Sequence, residues 1–398
     1  MKSKWAKKAA PTELITETLN LISVDSDGRG SYQFPAEFLM DSLHGLIEHE
    51  HPLDSTTTYN FLRQALFNCK DPNRLLSEFD KLCHTKPKSE KYVLITCIQL
   101  KGVYHLPTTS FHDCKIRLVN QLPKKYAAAR QKILASITES TEIETGLTYA
   151  VISNTAKSAE SAVDKATDAF SILSGLLQLG FKKSVNFLAL RDEDKYPSRL
   201  VIDQCKILTL HLSNGRAHAE PAWTNTDYQE RKPATLRNPK NTVTHTNKRR
   251  AQLKRLPFRS HIEKCLINYS SALSSKNPEL RFLKLWVALE QLLDTDDTDT
   301  LIKRTSFFYS EKDAQKAILR SLRLARNNHV HGGKPPPNIH LKIFQLCQHL
   351  EHALLFFISN PFNYRTTEEI TNFISISTEA DNIQGQIKRL KAALKFIS

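Results

Sequence analysis

The chain has 398 residues, 40% of them hydrophobic, and sets 56 Lys and Arg against 41 Asp and Glu, a formal net charge of +15. That length holds two or three domains with cores of their own, and no segment reaches the roughly 20 uninterrupted apolar residues that a membrane span needs. An excess of cations this large draws polyanions, nucleic acid first among them.

The opening "MKSKWAKKAAPTELITETLNLI" is basic but runs into no apolar signal core, so export is not expected and a cytoplasmic location is. Residues 1–90 are expected to be helical. "AEFLMDSLHGLIEH" sets Phe38, Leu39, Leu43, Leu46 and Ile47 on one face, and "YNFLRQALFN" repeats the pattern with Phe61, Leu62 and Leu66. His44, His49 and His51 cluster here at spacings that match no metal motif.

From 91 to 225 the period changes to that of a mixed α/β domain. "YVLITCIQL", "KIRLVNQL", "LTYAVIS" and "RLVIDQCKILTLHL" are β-branched runs of strand length. Between the last two lies an Ala-rich helix that Gly180 ends. The whole chain has 11 glycines and no GxGxxG or P-loop, so no nucleotide cradle and no cofactor is expected. A sensor or regulatory role is the default for this part. Its cysteines, like the others among Cys69, Cys83, Cys97, Cys114, Cys205, Cys265 and Cys347, stand singly without a CxxC pair. They read as reduced thiols packed as small hydrophobes, with no structural zinc and no metal site.

Residues 226–260 form the expected linker. From Arg231 to Arg259 the sequence holds many cations, three prolines, few large apolar residues and no acid. Lys248, Arg249, Arg250, Lys254 and Arg255 within it are candidates for contact with RNA.

From 261 to the end the pattern is helical. Five amphipathic segments joined by short connections predict an antiparallel bundle, the last carrying Ile383, Ile387, Leu390 and Leu394 one turn apart. "DTDDTD" at 294–299 lacks the glycine and the closing glutamate of a calcium loop and reads as a helix cap. The fold class is therefore α+β and multidomain, with an all-α bundle following a helical and mixed α/β region.

The third of these segments ends in "LRLARNNHVHGGKPPP". Ala314, Ala317, Ile318, Ser321, Leu322 and Ala325 fall at the spacing of a buried stripe that Asn328 and His329 would extend, with Arg326 at its flank. Asn327 and His331 lie one turn apart on the other side, close enough for amide to touch imidazole. Gly332 and Gly333 end the helix, and three prolines prevent its resumption. An arginine fork matches phosphate oxygens, and an imidazole exchanges protons near neutral pH. RNA brings its own nucleophile, the 2′-hydroxyl, so such a pair needs no metal.

"RNNHVH" matches R-N-x-x-x-H, the signature of the HEPN superfamily of nucleases, with Arg326, Asn327 and His331 at the fixed positions. The preceding "RFLKLWVALEQLL" resembles the first core helix of the ApeA-like branch, whose members are bacterial anti-phage proteins. The resemblance covers about residues 260–380. It implies a metal-independent endoribonuclease in which the 2′-hydroxyl attacks and a 2′,3′-cyclic phosphate is left. It also implies a homodimer or higher homo-oligomer that brings two motifs to one groove. His331 would then be the general acid/base, Arg326 would hold the scissile phosphate, and Asn327 would orient the histidine or the substrate.

Around these lie supporting residues. Glu290 sits on a mostly apolar face, where pairing with Arg326 would relieve its burial; a place at the stripe's edge is the alternative. His329 reads as a hydrogen-bonded packing residue or as a second catalytic imidazole. Arg323 and Lys334 are further candidates for RNA contact, and His349 and His352 read as surface or packing residues. The resemblance also implies an anti-phage, abortive-infection or toxin setting, and functional logic adds a phage-derived trigger sensed by the N-terminal part. The competing readings are a non-catalytic module that binds RNA or a partner, and a basic DNA-binding regulator.

Overall fold

The computed structural model describes residues 2–6, 11–24, 30–51, 53, 55–69, 71–84, 89–101, 108–137, 146–181, 185–200, 202–230, 233–235 and 238–397. The chain divides into two compact units. One comprises Met1–Val93, Ser153–Ala166 and Leu210–Glu220; the other comprises Leu94–Ile152, Thr167–Thr209 and Pro221–Ser398.

The first unit is built largely on helices. Strand β1 (Lys4–Trp5), helix α1 (Pro11–Asn20), strands β2 (Ile22–Val24) and β3 (Gly30–Tyr32), and helix α2 (Pro35–Gly45) come first. Strand β4 (Ile47–Glu48), α3 (Ser55–Asn68) and α4 (Leu75–His84) follow. Strands β1 and β4 pair antiparallel, as do β2 and β3. Met40, Leu43, Leu62, Leu66, Leu75 and Phe79 form the core. The α2 face is turned by about one residue from the expected one: Ala36, Met40 and Leu43 are buried, and Phe38 is 63% exposed. Among the histidines, His51 Nε2 lies 3.0 Å from Asp80 Oδ1 and His44 Nε2 lies 2.9 Å from Thr58 Oγ1, so both rings are absorbed by the fold.

The main sheet is made by β5 (Glu90–Lys101), β6 (Thr109–Phe111), β7 (Cys114–Val119), β8 (Leu147–Ala156), β9 (Gln204–Leu212), β10 (Ala217–Thr224) and β11 (Ala234–Thr235). Its order is β10-β9-β5-β8-β7-β6, with β11 running parallel to β5. Strand β5 is buried on both faces from Tyr92 to Leu100, which explains its unbroken apolar run. Helix α5 (Lys124–Ser136) has no apolar stripe to announce it. It buries Arg130 instead, whose guanidinium donates to Ile95 O at 2.9 Å and to Thr209 Oγ1 at 2.7 Å.

Helices α6 (Ala159–Gln178), α7 (Asp192–Lys195), α8 (Pro239–Arg255), α9 (Arg259–Ser274), α10 (Pro278–Leu292), α11 (Thr298–Ser306), α12 (Lys312–Gly332), α13 (Ile339–Ser359), α14 (Thr367–Ile374) and α15 (Ala380–Ile397) complete the chain. Within the second unit α6 meets α9 closely. A Cβ at Gly175 would stand 3.0 Å from Ser270 Oγ and 3.3 Å from Leu266 O, and Ser270 Oγ donates to Ser171 O at 2.7 Å. Helix α13 packs against α8, α9 and α10, and α9 against α8 and α10; Leu253, Leu266, Phe282, Trp286, Leu350 and Phe357 of these helices are buried.

Three expectations are corrected here. The basic stretch taken as a linker is helical over Pro239–Arg255, because Asn238 caps it and Leu253 and Thr246 anchor it; too few apolar residues mark its face. Short helices α11 and α14 raise the five C-terminal helices to seven, and Asp297 of "DTDDTD" caps α11 by accepting from Thr300 N. The apolar stripe of α15 is not buried: Ile387, Leu390 and Leu394 are 46%, 66% and 63% exposed.

Candidate functional site

Helix α12 stops at Gly332 because Gly333 takes the left-handed conformation (φ 59°) and its N–H closes on His329 O. In the last two turns Arg326 and Asn327 are half-buried, while His331 and Lys334 are exposed. Arg326 Nη1 donates to Asn327 Oδ1 at 3.3 Å. The expected touch of Asn327 on His331 is absent among the described residues: the amide oxygen faces the guanidinium of its neighbour, and the imidazole stands in solvent. The buried side of α12 also differs from the expected stripe. Leu319, Leu322 and Ala325 are covered, whereas Ala314, Ala317, Ser321 and Asn328 are exposed and Ile318 is half-buried.

Glu290 has a different partner from the one expected. Its Oε1 accepts the indole N–H of Trp286 at 2.5 Å and lies 3.5 Å from Arg323 Nη1, and the Arg323 guanidinium sits 5.8 Å from the Trp286 ring centroid. Spacing on α10 explains the first contact, since residues four apart share a face. The second follows from the α10–α12 approach, which brings Arg323 rather than Arg326 over Trp286. Arg326 therefore has no carboxylate partner among the described residues. His329 Nε2 lies 3.5 Å from Glu279 Oε2, and its Nδ1 is buried without a hydrogen bond among the described residues. Glu279 pairs with His329 and Glu290 with Arg323, so α10 and α12 run antiparallel, with the R-N-x-x-x-H end of α12 beside the N-terminal turn of α10.

The cations of α8 face two cavities, since the helix carries them on two sides. Lys248 and Arg249 line one of about 380 Å³ against Phe356 and Ser359 of α13. Arg250 and Lys254 line another of about 490 Å³. Burial lowers the Arg249 pKa from its usual value, and its Nη1 would stand 3.3 Å from a Cβ at Gly180, so that glycine leaves room for the guanidinium. Arg255 is exposed.

One polar cluster was not visible in the sequence. The Tyr309 hydroxyl lies 3.0 Å from His349 Nδ1 and 2.9 Å from His352 Nδ1, and with a single proton it donates to one ring and accepts from the other. Burial, with His352 nearby, pulls the His349 pKa down to about 4, which keeps that ring neutral. Among the described residues no group of three His, Cys, Asp or Glu stands close enough to hold a metal ion, and no helix is long and apolar enough to cross a membrane. All seven cysteines are buried, and no disulfide joins any two of them.

Comparison of the chain with protein-family models, curated protein sequences and solved structures finds no match. What the fold and the site define is an α+β chain with a C-terminal helical region and a polar helix end whose arginine has no carboxylate partner among the described residues.

Proposed function

We propose that the chain is an endoribonuclease of the HEPN type, acting on RNA without a metal through Arg326, Asn327 and His331. The observation that carries this reading is that Glu290 is engaged by Arg323 and Trp286, while Arg326 lies on the same helix end as a solvent-facing His331 and has no carboxylate partner among the described residues. A guanidinium in that state suits a phosphate oxygen better than a structural ion pair does.

The reaction balances within the substrate. His331 takes the proton of a ribose 2′-hydroxyl, O2′ bonds to phosphorus, the P–O5′ bond breaks, and O5′ leaves with a proton. Charge building on the phosphoryl oxygens meets Arg326, and such preorganised stabilisation lowers barriers by roughly 3–4 kcal/mol. Asn327 holds the guanidinium through its side-chain oxygen. One imidazole is a base or an acid in a given half of the step, so a second copy of the motif in a homodimer supplies the other. The anti-phage setting rests on the resemblance alone.

The test is incubation of the purified chain with tRNA and mRNA in EDTA, with cut sites and end groups mapped. Cleavage that persists and leaves 2′,3′-cyclic phosphate supports the reading; RNA that is bound but uncut, with phage lysate added or not, favours a non-catalytic RNA-binding module. That second reading draws support from His331, which no side chain orients among the described residues.

A further inference from the structure

The cavity of about 490 Å³ beside α8 has its own chemistry, separate from the end of α12. It lies between the turn of the β6–β7 hairpin and the start of α9. Its volume is that of a small-ligand pocket.

Glu263, at the floor, is only 2% exposed. Its two oxygens are divided: Oε1 accepts from Arg259 Nε at 2.7 Å, and Oε2 lies 3.2 Å from His112 Nε2. A buried carboxylate needs such partners. It also orients them. With Nε2 committed to Glu263, Nδ1 is the ring atom of His112 left for a ligand, and Arg259 keeps its terminal nitrogens. His112 is an unusual residue for its place. Phe111 pairs with Cys114, so His112 opens a two-residue hairpin loop, and its φ of 48° lies in the left-handed region where glycine is the unstrained choice. A strained backbone that presents an imidazole to a cavity is a mark of function.

The fourth and fifth groups are cations. Arg250 donates to Thr109 Oγ1 at 2.8 Å, Lys254 lies one turn further along α8, and neither has a carboxylate partner among the described residues. Three cations against one carboxylate leave a net charge of +2 around the cavity before any protonation of His112.

We propose that this cavity is a binding site for a phosphate dianion, free or carried as a monoester on a small ligand. The charge around it equals that of the dianion, guanidinium and ammonium groups are the donors such an anion takes, and the cavity has room for a ligand body beyond the phosphate. A bridging phosphodiester, with a single charge, matches less well.

Calorimetric titration of the full chain with inorganic phosphate and with adenosine 5′-monophosphate, at constant ionic strength, tests this. The site predicts saturable binding of one equivalent of either ligand. Similar affinities assign the contacts to the phosphate alone, and tighter binding of the nucleotide adds a contribution from its nucleoside. Arg250→Gln with Lys254→Gln should weaken binding at least about tenfold. His112→Gly should weaken it severalfold, whereas a histidine that only partners Glu263 would leave binding unchanged. Arg326→Ala, which removes the phosphate-holding group of the proposed nuclease centre, should leave this binding in place. Its loss in that variant would assign the phosphate to the α12 end and overturn the proposal. No saturable binding to millimolar concentrations, binding unchanged in the Arg250→Gln, Lys254→Gln double variant, or binding only of an oligoribonucleotide without terminal phosphate would overturn the proposal.

Discussion

Arg323 Nη1 faces Glu290 Oε1 at 3.5 Å, with the Arg323 guanidinium over the Trp286 ring. The one acid on the apolar side of α10 thus belongs to Arg323, one turn before Arg326. Two arginines three residues apart on one helix have different duties, and their variants should behave in opposite ways. Arg323→Ala should lower stability by about 1 kcal/mol, since the Arg323 and Glu290 side chains are both partly exposed, and leave RNA cleavage within a few-fold of the parent. Urea unfolding and a cleavage time course read the two effects.

His329 should behave as a positioning and packing residue. It lies 3.5 Å from Glu279, whose side chain is 37% exposed, so the pair is worth under about 1 kcal/mol. His329→Asn should retain cleavage within about tenfold, whereas a catalytic imidazole would cost 10²-fold or more. Initial rates on a single RNA substrate distinguish them.

His349 sets an acid limit on stability. Its folded value of about 4 lies below the ordinary 6.5, so the unfolded chain binds its proton first as pH falls. The contribution is whole above about pH 6.5 and declines between about 6.5 and 4, by up to about 3 kcal/mol. Denaturant midpoints measured through that window should fall steeply for the parent and less steeply for His349→Gln.

Helix α15 carries no buried residue. Removal of Ala380–Ile397 should therefore shift the Tm by less than about 2 °C. A loss several times larger, read by calorimetry, would mean that its apolar stripe is covered in the folded protein.

What the sequence revealed follows from what is local. The strand runs of β5, β7, β8 and β9, the apolar periods of α9, α10 and α13, and the glycine stop of α12 are all written in neighbouring residues. Helix α8 was hidden because its cations mask a face anchored by two residues, and α5 because its buried anchor is Arg130. The partner of Glu290 could not be read either: periodicity set Trp286 beside it, but only the approach of α12 chose Arg323 over Arg326. Likewise His112 and Glu263 are far apart in sequence, and nothing near either one announces the other.

The central claim is that Arg326 and His331 act together on an RNA linkage. Its most direct test is cleavage of a defined RNA in EDTA by the parent, Arg326→Ala and His331→Ala, each with its unfolding curve. The account predicts that both variants keep the parent's Tm within about 2 °C and lose at least about 10²-fold in rate. Equal cleavage by all three proteins would contradict it.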